Sequence, residues 1–189
     1  MSDSKYKLKI VCAAMLQSWR VQGLGPTERY TELHPTKSGI IGMISCALGY
    51  ERGDKRINEL SEKLDLFLDN KESGQILSSK PCQLDTLIDF QVVRAPKIGM
   101  LTAGGSENSS GKASRLNEAT LIYKEYIVNH RFVTYLVTDD KETLLKIEKA
   151  LDAPVWQYYL GSKCCVPSEP VSQGITTTTE EELNDYQYI

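Results

Sequence analysis

The chain has 189 residues, 41% of them hydrophobic, and no apolar run of about 18 residues that would span a membrane. Its formal net charge is −3, yet the last ten residues hold Glu180, Glu181, Glu182 and Asp185 with no Lys or Arg, so the remainder is close to +1. Charge therefore neither demands nor excludes a nucleic-acid partner, and the polar start, Met1 to Lys5, lacks the apolar core of a signal peptide, so a cytoplasmic location is expected.

Residues 6–14 (YKLKIVCAA) alternate and then turn apolar, which predicts a first strand. Residues 15–34 have no period and contain Gly23, Gly25 and Pro26, so a long loop is expected. Thr36 is placed to cap a helix over 37–48, with Gly49 just beyond its end. That helix is rich in small residues, Gly39, Gly42, Ser45, Cys46 and Ala47, which suits close approach to a sheet or a ligand. A short polar helix follows at 56–63, then a strand at 64–68, a turn from Asn70 to Gly74 and a strand at 84–93.

Residues 95–121 lose all hydrophobic periodicity and read as a flexible Gly/Ser-rich arm. Strand character resumes over 122–138, with a break near Asn129. Asp139 and Asp140 offer caps for a helix over 141–151, and 155–160 (VWQYYL) reads as a last strand. Residues 172–189, Thr-rich and then acidic, are expected to be a mobile tail. The order β, α, β, β, α, β with an inserted arm is the ferredoxin-like, or RNA-recognition-like, α+β pattern. The expected domains are a core at 1–94 and 126–171, a thumb-like arm at 95–125 and the tail.

Four segments are placed to carry chemistry. Pro35 to Gly39 contains Lys-Ser but lacks the glycines of GxxxxGK[ST], so nucleotide binding of the P-loop kind is rejected. It is either a well-capped helix start or an anion site built on free backbone N–H groups. Leu16-Gln17-Ser18-Trp19 is either a packed aromatic anchor or a stacking surface at a strand end. In the arm, Lys97, Lys112, Arg115 and Lys124 outnumber Glu107 and Glu118, which fits a plain surface loop or an arm that orders on a partner. Tyr158 to Cys165 brings an aromatic pair, Gly161, Lys163 and two adjacent thiols. Five cysteines without a CxxC, and two distant histidines, do not make a zinc set. GxSxG and HExxH are absent, so no catalytic residue, metal or cofactor is expected.

These blocks together resemble the CasD family, the type I-E branch of the Cas-five proteins of CRISPR Cascade complexes. Leu16-Gln17-Ser18-Trp19 is similar to the family's opening LQSWG, and Arg29 through Gly49 to its PTKSG helix. Lys124-Glu125-Tyr126, with Phe132 after it, resembles the segment that leaves the arm, and Tyr159 to Lys163 with Pro167-Ser168 resembles the family's close. Arg20, Gln91 and Cys164 depart from the pattern, standing where glycine, histidine and serine are usual. The likeness runs over roughly residues 6–171.

The resemblance implies a non-catalytic subunit that caps the 5′ handle of the guide RNA (the crRNA). Its implied neighbours are the backbone subunit of the CasC family and the large subunit of the CasA family, with target DNA met only through the complex. The RNA contacts this implies are Gln17, Ser18, Trp19, Arg29, Thr36, Lys37, Ser38, Gly39, Lys112, Arg115, Lys124, Tyr126 and Lys163. The alternative is a metal-independent endoribonuclease that processes precursor crRNA, as type I-C relatives do. Glu125 stands where that chemistry needs a histidine.

Overall fold

A computed structural model describes residues 5–21, 27–76, 84–94 and 119–189. The Gly/Ser-rich stretch of the arm, with Lys97, Lys112 and Arg115, lies outside the described residues, as do Gly23, Gly25 and Pro26. The elements in chain order are β1 (Lys5–Gln17), β2 (Glu28–Arg29), α1 (Lys37–Ala47), α2 (Lys55–Lys63), β3 (Asp65–Gln75), β4 (Asp85–Arg94), β5 (Ala119–Thr138), α3 (Lys141–Asp152), β6 (Ser172–Thr178), α4 (Glu180–Leu183) and β7 (Gln187–Tyr188).

The product is a mixed α/β fold on a mostly antiparallel sheet, in the order β6-β1-β5-β3-β7. β5 is its spine. Its second half lies between β1 and β3, and its first half runs on as a ribbon with β4 and the short parallel strand β2. The break expected near Asn129 is a left-handed residue (φ 52°) inside one continuous strand, where the ribbon meets the sheet. Asparagine tolerates that conformation better than most side chains.

Strand alternation builds two cores. Leu8, Ile10, Cys12 and Ala14 point to one face of β1, where Ile40, Ile44 and Ala47 of α1 and Leu144, Ile147 and Leu151 of α3 cover them. Val11 and Ala13 point to the other face and pack with Val133, Tyr135, Val137 and Leu183. Two helix starts fall where their caps predict: Thr36 accepts from the Gly39 amide, and Asp140 from Glu142 and Thr143; α2 is capped by Asp54, which accepts from the Arg56 amide.

Three local expectations are corrected. The turn from Asn70 to Gly74 is a bulge inside β3, not a strand end. The buried Asp69 carboxylate accepts from the amides of Lys71 (2.9 Å) and Glu72 (3.1 Å), and Ser73 accepts from the Val133 amide (3.1 Å). Residues 155–160 form no strand. Val155 is tied to α1 through its amide and the Ala47 carbonyl (2.9 Å), and the β1 edge they would have paired with belongs to β6. The third correction is that the supposed tail folds. Ser172–Thr178 is the edge strand, and Phe67 and Leu68 of β3 pair with the far end at Tyr188 and Gln187. Its threonines favour an extended strand, which polarity alone conceals.

His130 is buried against Phe132, with ring centroids 4.3 Å apart. Burial holds its pKa below the ordinary 6.5. The unfolded chain gains a proton there before the folded chain does, so this contribution is fully present above that value and is lost as pH falls through the folded pKa. Thermal melts followed by circular dichroism are expected to lose midpoint between neutral pH and mild acid. The slope should be shallower in His130→Phe.

Candidate nucleic-acid interface

Three segments far apart in sequence converge at the C-terminal end of β1. Gln17 is wholly buried: its amide nitrogen donates to the carbonyls of Cys12 (3.0 Å) and His130 (2.6 Å), and its oxygen accepts from the Trp19 indole (3.2 Å). Trp19 is thereby aimed at the first turn of α1. A Cβ added to Gly39 would lie 2.8 Å from its Cε3 atom, so a glycine is required there. The Trp19 backbone is fixed in turn by the Thr31 hydroxyl (2.8 Å) and the Glu32 amide (2.6 Å).

The third segment is the loop after residue 160. The Ser18 amide donates to the Leu160 carbonyl (3.1 Å), and the loop closes on itself through Leu160 to Cys165 and Cys165 to Ser162, both 2.8 Å. Gly161 adopts φ +100°, and an added Cβ would fall 1.7 Å from the Ser18 carbonyl oxygen. Both the conformation and the contact therefore demand glycine. The LQSW, PTKSG and LG-x-K blocks occur together because they are one packed object.

Around that object runs a surface groove in two parts. One cleft, about 540 Å³, has Arg20, Arg29, Arg52 and Lys124 on its walls and Thr36, Ser38 and Gly39 at one end. Among the described residues, no Asp or Glu lines it. The second cleft, about 840 Å³, has a partly apolar floor of Leu16, Leu87 and Tyr126, with Lys163 and Asp89 beside it. Arg29, Lys124 and Ser162 belong to both, so the two parts are continuous. β2 sets this up: its pairing with β5 puts Arg29 in register with Lys124.

The expected site residues divide accordingly. Ser18, Trp19, Arg29, Thr36, Ser38, Gly39 and Lys124 meet at the first cleft, and Tyr126 and Lys163 join at the second. Gln17 does not line the groove; it braces Trp19 from within. Trp19, 1% exposed, is the packed anchor and offers no ring face for stacking. Lys37 lies outside both linings, and the Gly39 amide is already used by Thr36 (3.2 Å). Arg20, Arg52 and Tyr30 line the first cleft as well, though none is among the expected contacts. Arg20 reaches the cleft through an isolated bridge to Thr31, which no local pattern announces.

Burial, and then the Cys164 thiol, push the Tyr126 hydroxyl up to about 12. Burial likewise pushes the Cys165 thiol up to about 12, and its sulfur lies 3.9 Å from that of Cys164. Among the described residues no cluster of His, Cys, Asp or Glu is arranged to hold a metal ion.

A family model for the CRISPR-associated Cas5 proteins matches residues 8–188. The chain belongs to the Cas5 family. This Cas5 chain is 26% identical over 176 residues to the CRISPR system Cascade subunit CasD of Escherichia coli K12, covering 90% of itself and 71% of that protein. It also resembles a chain of a solved CRISPR RNA-guided surveillance complex, with 27% identity and a TM-score of 0.62, covering 88% of itself and 61% of that chain. A solved Cas protein at 21% identity and TM-score 0.53, of which 60% is covered, shares the fold. This Cas5 chain thus spans about three-fifths of the length of those solved chains.

Gly161→Ala tests the packed object directly. It should destabilise the chain by about 3 kcal/mol, the upper range for a non-glycine residue forced into such a conformation. Denaturant unfolding measures it, and a change within a few tenths of a kcal/mol would refute the close approach.

Proposed function

We infer that this Cas5 chain is a non-catalytic subunit of a CRISPR Cascade surveillance complex of the type I-E kind, and that its groove holds the 5′ handle of the guide RNA. The observation that carries this reading is the cationic cleft without a lining carboxylate, continuous with a partly apolar one. A single strand needs cations along its phosphates and apolar floor for splayed bases. Arg29, Lys124, Arg20 and Arg52 serve the phosphates in this reading, Ser38 and the start of α1 add a hydroxyl and dipole, and Lys163 extends the charge past Tyr126. Lys112 and Arg115 would add contacts from the arm.

The strand order β6-β1-β5-β3, with α1 and α3 on one face, supports an RNA-recognition-like core. The β4–β5 ribbon supports a projecting arm that meets a neighbouring backbone subunit of the CasC family, with the CasA-type large subunit nearby. No described helix is long and apolar enough to cross a membrane, which agrees with work inside a cytoplasmic particle. The endoribonuclease alternative is disfavoured by its histidines: His130 is sealed in the core and His34 lines neither cleft.

In particles assembled with Arg29→Glu and Lys124→Glu, guide-RNA retention should be weaker than in the parent at low salt. Each lost phosphate contact should make the slope of log K against log salt shallower by about 0.7. Lys37→Glu should do less than either. Unchanged retention and slope would overturn the groove assignment. The purified chain should leave a repeat hairpin RNA intact, whereas cutting that His34→Ala abolishes would favour the nuclease.

A further inference from the structure

The C-terminal segment crosses the face of the sheet that the helices leave bare. β6 lies at one edge beside β1 and β7 at the other beside β3, so residues 179–186 pass over three strands to join them. Four strand spacings make roughly 19 Å, within reach of the segment even though α4 rises only about 1.5 Å per residue.

The face beneath has a definite chemistry. Lys5, Lys7 and Lys9 alternate onto it from β1. Lys9 stands opposite Tyr135 of β5, and Tyr135 opposite Phe67 of β3, so a lysine and two aromatic rings form one row across three strands. Aromatic rings for bases, flanked by lysines for phosphates, make a platform for single-stranded nucleic acid.

The crossing segment meets Lys5, Lys7, Tyr135 and Phe67 one by one, while Lys9 pairs with Glu72 of β3. Glu180 pairs with Lys5 (3.7 Å) and Glu182 with Lys7 (3.3 Å). The Tyr186 ring lies against Tyr135, centroids 4.8 Å apart and tilted 39°, and Tyr188 meets Phe67 edge-on at 5.3 Å. Lys7 Nζ sits 5.0 Å and 5.4 Å from the centroids of Tyr135 and Tyr186. Carboxylates stand where phosphates would lie, and tyrosine rings where bases would stack. The attachment is light. Leu183 is buried, Tyr186 packs beside it and two residues of β7 pair with β3, whereas the paired carboxylates of Glu180, Glu182 and Asp185 are largely exposed and such ion pairs contribute little. Segments held this way open locally at small free-energy cost.

We propose that this sheet face is a second binding site, for single-stranded nucleic acid, which residues 179–188 keep closed by occupying it. It does not depend on the groove at Arg29 and Lys124 being the guide site.

The test uses the full chain with Arg29→Glu and Lys124→Glu, so that the groove does not contribute. Onto it are placed Glu180→Gln, Glu182→Gln, Asp185→Asn and Leu183→Ser, which loosen the strap. Fluorescence anisotropy with labelled oligo(dT) and oligo(rU) of equal length should show binding about tenfold tighter than the parent, the scale of one base stacked on an aromatic ring. Equal gains for both probes indicate recognition through phosphates and stacking, and a larger gain for oligo(rU) indicates that the 2′-hydroxyl is read. Adding Lys7→Gln and Tyr135→Leu, which remove the charge and the ring, should abolish the gain. The three charge changes alone, with Leu183 intact, should give a smaller one. Hydrogen exchange over 179–188 reports the opening. An open strap with no gain overturns the proposal, as does a strap that stays closed in every variant.

Discussion

The site depends on how closely three backbones approach at the end of β1. Gly161 places its Cα almost against the Ser18 carbonyl, and Gly39 lets the Trp19 ring lie on the first turn of α1. Any side chain at either position would push the loop or the helix away. The cleft walls are anchored to those elements, so the groove exists only while the contacts hold. Gln17 completes the arrangement by tying the indole nitrogen to two backbone carbonyls through one buried amide. A buried polar network of this kind specifies one geometry because every member is satisfied.

Charge is distributed with the same economy. The whole chain is acidic, yet the groove beside β2 and β5 gathers Arg20, Arg29, Arg52 and Lys124 with no lining carboxylate among the described residues. Much of the acidic excess lies on the far side of the sheet, where Glu180, Glu182 and Asp185 pair with Lys5, Lys7 and Lys71. At physiological salt, fields fade within about 8 Å. A local cationic surface is therefore compatible with a negative total, and net charge says little about what one face binds.

The long strand β5 links the two halves of the molecule. Its later residues build the core sheet, and its earlier ones carry the β4 ribbon and Arg29's strand partner, Lys124. The ribbon leaves Ile88, Phe90, Val92, Leu121 and Tyr123 exposed, an apolar surface that monomeric proteins seldom show. In the proposed particle such a surface would be buried against a neighbouring subunit.

Local chemistry alone determined a good deal. Thr36 and Asp140 marked two helix starts, alternation marked β1, and Asn129 marked the break in β5, because caps, periods and φ preferences act over a few residues. The motif blocks also pointed to most of the groove. Tertiary structure decided what distance in sequence hides. It buried Trp19 and Gln17 against the start of α1 and β1, left Lys37 outside both cleft linings, and brought Arg20 and Arg52 to the cleft. It also turned the polar segment after residue 172 into an edge strand and a strap, because its hydrogen-bonding partners lie on β1 and β3, more than a hundred residues earlier.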